Sequence, residues 1–411
     1  MKTTDLATDL SIQTDRSASG WLNRLCLRSL DPLLREIRHG QLRLWLPSGQ
    51  ALQAGQGQGP HAEVRLNNWR PIRRFLAGGE LGWAESYLDG DWDTPDLLAL
   101  MQWALANEDS LRPAAAGSVV SRMLHRLFHR SRRNSRRGSR RNIAFHYDLG
   151  NDFYRRWLDP TMTYSSALFA HPQQTLEAAQ LNKYRRICEL LELHPGQRVL
   201  EIGCGWGGFA ETAAGEYGVT VDGITLSREQ LAWARERVAD SPLAARCRFS
   251  LTDYRDLDQR YDRIASIEMF EAVGEEHWPR YFDQLKRCLK PGGLAVLQVI
   301  SIASDRFEDY RRGTDFIQRY VFPGGMLPSP DRLAAQIESA GLQLSHAEHF
   351  GADYARTLQH WRRAFDDSWP EIQPLGFDDR FRRLWHYYLA YCECGFNRGC
   401  IDVGLYLLRA P

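Results

Sequence analysis

The sequence predicts an α/β protein: a doubly wound sheet of seven strands, mostly parallel, preceded by a smaller N-terminal α+β domain. Three observations lead there. Strand-like and helix-like patterns alternate from Asn142 onward, which implies crossover helices on both faces of a sheet. The stretch Gln197–Thr212, Q-R-V-L-E-I-G-C-G-W-G-G-F-A-E-T, runs from an apolar strand through a glycine turn into a helix. Such a turn brings backbone N–H groups and a helix N-terminus against a ligand. The chain also changes character at 115–142, and 411 residues suffice for two domains.

Residues 1–18 are polar and expected to be disordered. Residues 19–114 read as the small domain. Leu22, Leu25, Leu27, Leu30, Leu33, Leu34 and Ile37 make one helical face, and strand-like pieces follow between Gln41 and Val64. A helix-turn segment runs from Arg70 to Tyr87, then an acidic turn at Asp89–Asp93 and a helix, Asp96–Asn107, begun by Asp96. This domain carries no catalytic constellation. Between Arg122 and Arg141 there are nine arginines and no acid. With Leu124, Leu127 and Phe128 beside them, the 115–142 segment reads either as an amphipathic stretch on anionic lipid or as a solvated linker. Nucleic acid is disfavoured, because aromatic interleaving is missing and the net charge is only +1.

The large domain spans 143–411. Its strands are expected at Arg198–Gly203, Val219–Leu226, Arg248–Leu251, Arg263–Glu268, Leu294–Ile302, Leu342–Glu348 and Asp402–Leu408. The helix Leu176–Leu193 precedes the first strand, and Phe209–Tyr217, Ser227–Ala239, Trp278–Leu289 and Asp331–Ala340 lie between strands. Eight cysteines are scattered without a metal-ligating spacing, so no metal is expected and the thiols read as free, in a reducing compartment. No apolar run approaches the ~20 residues that span a bilayer. The expected location is cytoplasmic, with at most peripheral contact at the inner face of the membrane.

In such a sheet ligands bind beyond the carboxyl ends of the strands. Gly203-x-Gly205-x-x-Gly208 satisfies a dinucleotide fingerprint, a weak signal on its own. Glu201 at the strand end suits an ammonium or sulfonium centre better than a pyrophosphate. After the second strand, Thr225 and Gln230 can bond ribose hydroxyls, while Ser227 can cap the next helix. After the third, Asp253 can accept from an adenine amino group and Tyr254 can cover the ring. Glycine turn, polar second loop and acidic third loop together match a class I methyltransferase using S-adenosylmethionine, with Gly203, Cys204, Gly205, Trp206 and Gly207 around the cofactor. Trp206 reads equally as a packing aromatic.

The ordered motifs resemble the cyclopropane-fatty-acyl-phospholipid synthase and mycolic-acid methyltransferase family. They are H-Y-D-L-G-N-D-F at His146–Phe153, M-T-Y-S-S at Met162–Ser166, V-L-E-I-G-C-G-W-G-G at Val199–Gly208 and T-L-S-x-x-Q at Thr225–Gln230. D-Y-R-D-L at Asp253–Leu257, E-M-F-E-A-V-G at Glu268–Gly274, F-P-G-G-M-L-P-S at Phe322–Ser329 and F-G-A-D-Y at Phe350–Tyr354 complete the set. L-G-W-A-E-S-Y-L-D-G-D-W at Leu81–Trp92 extends the similarity into the small domain, which is then expected to bind lipid. The resemblance implies methyl transfer to the cis double bond of an unsaturated phospholipid chain, with a lid insertion at about 303–341. His146 and Tyr147 would organise the approach to the cofactor, and Tyr164 and Ser165 would touch its methionine end.

In that family a bicarbonate ion takes the proton, held by a Cys, a Glu, a His and a Tyr. The corresponding positions here are Ser166, Glu271, Gln298 and Tyr354, with the backbone near Ile300 as a further contact. The expected product is a cyclopropane; because Ser166 and Gln298 depart from the pattern, a methyl- or methylene-branched chain is the alternative. Cys392 stands where the family has a cysteine long treated as catalytic, but a buried structural thiol is the alternative, and no base is visible beside it. A homodimer is left open.

Overall fold

The computed structural model describes residues 28–115, except 29, 33 and 56, and residues 149–411. Contacts separate the chain into two units, Met1–Val119 and Val120–Pro411. The arginine-rich segment, His146, Tyr147 and the first part of the N-terminal helical pattern lie outside the described residues.

In the first unit, β1 (Gln41–Trp45), β2 (Ala51–Ala54), β3 (His61–Leu66) and β4 (Trp92–Asp93) form one sheet in the order β2-β1-β3-β4. Strands β1 to β3 alternate exposed and buried residues, as expected of a sheet with one wet face. The dry face packs Leu42, Leu44, Val64 and Leu66 against Ile72, Trp92, Leu100 and Trp103. Ile72 belongs to α1 (Arg70–Leu88), and Leu100 and Trp103 to α2 (Leu97–Ala106). Asp96 caps α2 as the sequence implied, accepting from Ala99 N–H at 3.0 Å. The acidic turn is not all turn: Trp92 and Asp93 pair with Leu66 and Arg65, because burying Trp92 fixes that stretch as an edge strand.

The second unit holds the seven-stranded sheet in full. Its strands are β5 (Arg198–Ile202), β6 (Thr220–Thr225), β7 (Cys247–Leu251), β8 (Tyr261–Ile267), β9 (Leu289–Ile302), β10 (Gln343–His349) and β11 (Ile401–Arg409). The order is β10-β11-β9-β8-β5-β6-β7, with β11 antiparallel to both neighbours and the remaining pairs parallel. Chain order reverses between β8 and β6 around β5, the switch point where ligands bind in such sheets. The expected helices follow: α3 (Leu176–Leu190), α4 (Gly208–Tyr217), α5 (Arg228–Ala239), α6 (Trp278–Cys288) and α7 (Pro330–Ser339). Ser227 caps α5, accepting from Gln230 N–H at 3.2 Å. α6 buries Trp278, Tyr281, Phe282, Leu285 and Cys288, spaced along one face of the helix.

Two long helices escaped the sequence pattern: α8 (Gly351–Asp367) and α9 (Asp379–Asn397). They pack on each other, and between them and residues 153–164 lies an aromatic cluster. Phe153, Trp157, Trp361 and Trp385 are each at most 2% exposed. In α8 the buried Tyr354, Leu358, Trp361 and Phe365 do recur at helical spacing, a pattern the sequence reading passed over.

Candidate active site

The glycine turn is shaped by backbone that side chains rarely adopt. Gly203 has φ +84°, and an added Cβ would lie 3.0 Å from Met269 Cγ. Gly207 has φ +85° and packs against Ala234 and Phe249, so its absent side chain serves helix packing rather than a ligand.

Beyond β5, β6, β7 and β8 opens a cleft lined by Tyr164, Ser165, Glu201, Gly203, Cys204, Gly205, Trp206, Thr225, Gln230 and Tyr254. Ten of the expected cofactor residues therefore meet there. Gly207 does not line it, and neither does Asp253, whose two carboxylate oxygens bond Arg255 at 2.8 and 2.6 Å. An acid two residues before an arginine in a tight turn closes on it, which sequence spacing alone does not reveal. Thr252 takes the place of Asp253 in the lining. Trp206 fills both of its readings: it lines the cleft and donates from Nε1 to Asn151 Oδ1 at 2.7 Å.

Glu201 is 3% exposed, and its Oε2 has no hydrogen-bond partner. Burial pushes its pKa well above the carboxylate range, opposed by Lys183 and Arg237. Thr225 Oγ1 donates to Gln230 Oε1 at 2.9 Å, which presents the amide end of Gln230 to the cleft edge. A buried acid with one unpartnered oxygen, a hydroxyl–amide pair and a glycine turn fit a cationic adenosyl ligand.

The residues expected to hold bicarbonate meet around a side chain the sequence reading did not single out. Glu268 lines the same cleft. Its Oε1 accepts from Ser166 N–H at 2.8 Å and Gln298 Nε2 at 2.7 Å, and its Oε2 accepts from the Tyr354 hydroxyl at 2.6 Å. Ser166 Oγ turns away to the Ala167 carbonyl. The four positions thus do not frame a place for a free anion in the expected manner. The signal was present in E-M-F-E: two glutamates three residues apart at a strand end, of which only the second was assigned a role. Glu271 accepts from Ile300 N–H at 2.6 Å through Oε1, while Oε2 is buried and unpartnered.

Burial and the neighbouring Glu268 raise Glu271 to about 8, so it is a neutral acid at pH 7. Its proton is retained in the native state but lost above about 4.5 in the unfolded chain. The unfolded state therefore binds fewer protons, and stability falls as pH rises from about 4.5 to about 8. Glu271→Gln keeps the acceptor for Ile300 and removes this slope. It should raise stability by ~3 kcal/mol at pH 7 and by little at pH 4.5. Thermal unfolding of both proteins across this range is the check, and parallel curves would contradict it.

Cys392 lies on α9, where burial and the carboxylates of Asp315 and Glu268 push its thiol far above the usual range. Nothing there makes a thiolate, in keeping with the structural alternative.

Fold and cleft define a class I methyltransferase dependent on S-adenosylmethionine. The profile of the mycolic acid cyclopropane synthetase family matches residues 134–405, and the chain belongs to that family. It is 38% identical over 389 residues to the tuberculostearic acid methyltransferase UfaA1 of Mycobacterium tuberculosis, covering 90% of this chain and 88% of that one. It is 39% identical over 347 residues to the cyclopropane-fatty-acyl-phospholipid synthase of Escherichia coli K12, covering 82% and 85%. Among solved structures it is similar to the mycolic acid cyclopropane synthase CmaA1 complexed with SAH and CTAB. There the TM-score is 0.62 and the identity 32%, over 66% of this chain and 98% of the other.

Proposed function

We propose that the protein methylates a cis double bond in an unsaturated phospholipid acyl chain and closes it to a cyclopropane. The observation that supports this is a single cleft lined both by Glu201, Thr225 and Gln230 and by Tyr164, Ser165 and Glu268. When bound, S-adenosylmethionine supplies an electrophilic methyl carbon. Glu201, Thr225 and Gln230 would hold that cofactor, and Gly203 and Gly205 would let the backbone approach it.

The chain's own groups then have to shelter a cation on the lipid and take a proton. The aromatic side chains Tyr164, Tyr184, Trp206 and Tyr254 line the cleft. Such faces stabilise cations, and their bulk keeps out water that would quench one. A second reading, a methylene- or methyl-branched chain, is favoured by Ser166 and Gln298 turning to Glu268. It is also favoured by the likeness to a tuberculostearic acid methyltransferase over most of the chain. Loss of a proton from the added methyl group after a hydride shift gives the methylene branch, and a saturated methyl branch would then need a separate hydride donor.

Among the described residues no helix is long and apolar enough to cross a membrane. Access to lipid is therefore proposed from the membrane surface, with the 115–142 segment as its contact. The test is incubation of the protein with methyl-labelled S-adenosylmethionine and vesicles of unsaturated phospholipid. Label is expected in the acyl chains, and unlabelled lipid would overturn the reading. Ring and methylene branch are isomers of equal mass, separated by the shielded cyclopropane protons against vinylidene protons in proton NMR.

A further inference from the structure

We propose that the Glu268 carboxylate is the base of this reaction, built into the chain where the resemblance places an external bicarbonate ion. The assignment rests on the alkene-methylation reading.

Three independent features converge on it. The first is the donor set. Ser166 N–H, Gln298 Nε2 and the Tyr354 hydroxyl, at 2.8, 2.7 and 2.6 Å, grip the two oxygens of Glu268 as they would the planar O–C–O of bicarbonate. The second is backbone conformation. Glu268 has φ +47°, in the left-handed region where a glutamate is rare. A non-glycine residue held there at a cleft marks a side chain kept for what it does. Its N–H is fixed by the Gln298 carbonyl at 2.9 Å, so the conformation is locked by β9. The third is position: Glu268 lines the cofactor cleft.

Two carboxylates this close do not both ionise readily. Burial raises the pKa of Glu268, opposed by three donors and the Lys183 ammonium, whereas Glu271 receives a single donor, Ile300 N–H, and leaves Oε2 unpartnered. The Tyr354 hydroxyl, which donates to Glu268, and the Cys392 thiol also face it, and burial keeps both neutral. The negative charge therefore sits on Glu268 and the neutral acid is Glu271.

The step balances without a further reagent. The alkene π pair would form the bond to the cofactor's methyl carbon as the carbon–sulfur pair leaves on sulfur, giving a neutral thioether, and the positive charge passes to the adjacent chain carbon. Glu268 removes a proton from the added methyl group. The C–H pair closes the third ring bond, and Glu268 ends as a carboxylic acid that discharges its proton before the next turnover. A fixed base also frees the enzyme from dissolved carbon dioxide.

The experiment compares the unaltered protein, Glu268→Gln and Glu268→Gly in degassed buffer with and without added bicarbonate. It reads label transfer into unsaturated vesicles and, separately, S-adenosylmethionine binding by calorimetry. The unaltered protein is expected to turn over at the same rate in both buffers. Glu268→Gln should lose activity at least ~100-fold and still bind the cofactor. Glu268→Gly relaxes the backbone and empties the anion position, so its activity should depend on bicarbonate. Several-fold stimulation of the unaltered protein by bicarbonate overturns the assignment. So does full activity in Glu268→Gln, or a glycine variant that binds cofactor yet stays inactive at every bicarbonate concentration. Lipid left unlabelled by the unaltered protein overturns the underlying reading, and this assignment with it.

Discussion

Lys183→Met is expected to cut turnover by ~10- to 100-fold at pH 6 and by much less at pH 8.5. Lys183 is fully buried on α3, donates from Nζ to Ser165 Oγ at 2.6 Å, and lies 4.6 Å from the Tyr184 ring. Burial lowers its pKa to about 7, opposed by the carboxylates of Glu268, Asp159 and Glu201. Below about 7 the ammonium is charged and holds Glu268 ionised; above it the amine is already neutral and methionine changes less. Removing it raises the Glu268 pKa, so the acidic limb of the pH–rate profile moves to higher pH. Lys183 is a positioning residue, acting through Glu268 and Ser165, so the shifted limb is the decisive readout. A profile with an unmoved limb would sink the idea, whatever the maximal rate. Stability supplies a second sign. A lysine whose pKa falls on folding binds fewer protons in the native state. It therefore makes stability rise with pH between about 7 and 10.5, a slope the methionine variant should lack.

The sheet was legible because its central strands are buried on both faces and its helices are punctuated. Val199, Leu200 and Ile202 form an apolar run ending at Gly203, and Ser227 is a hydroxyl where a helix must begin. The cofactor end was legible for the same reason: a glycine turn allows few other uses. The base end was not. Ser166, Gln298 and Tyr354 come from a loop, a central strand and a helix, 188 residues apart at the extremes, and only folding shows that they share a carboxylate. Sequence comparison by motif assigned each a ligand but could not say which side chain had taken its place. Asp253 failed for a local reason, since whether an acid faces a ligand or its own turn depends on side-chain torsions. α8 and α9 carried buried residues at helical spacing, a signal that reading by motif passed over.

Glu201→Gln is expected to weaken S-adenosylmethionine binding ~10- to 100-fold, with the fold intact. The carboxylate is buried with Oε2 unpartnered, and Lys183 and Arg237 are the cations that act on it. Burial holds its pKa well above the carboxylate range, so ionising it in the free protein is costly, and a cationic ligand lowers that cost on binding. Glutamine removes the charge while keeping shape, so the free protein should gain stability or hold it. The loss is thus confined to the complex. At ~1.4 kcal/mol per tenfold, the range corresponds to about 1.5 to 3 kcal/mol, as for a hydrogen bond to a charged group. Calorimetry with S-adenosylmethionine and S-adenosylhomocysteine in parallel locates the contact. Both carry the ammonium, but only the first carries the sulfonium charge. Equal loss for both assigns Glu201 to the ammonium, and greater loss for S-adenosylmethionine assigns it to the sulfonium. Unchanged affinity for both would remove Glu201 from the cofactor site and return it to the role of a buried structural acid.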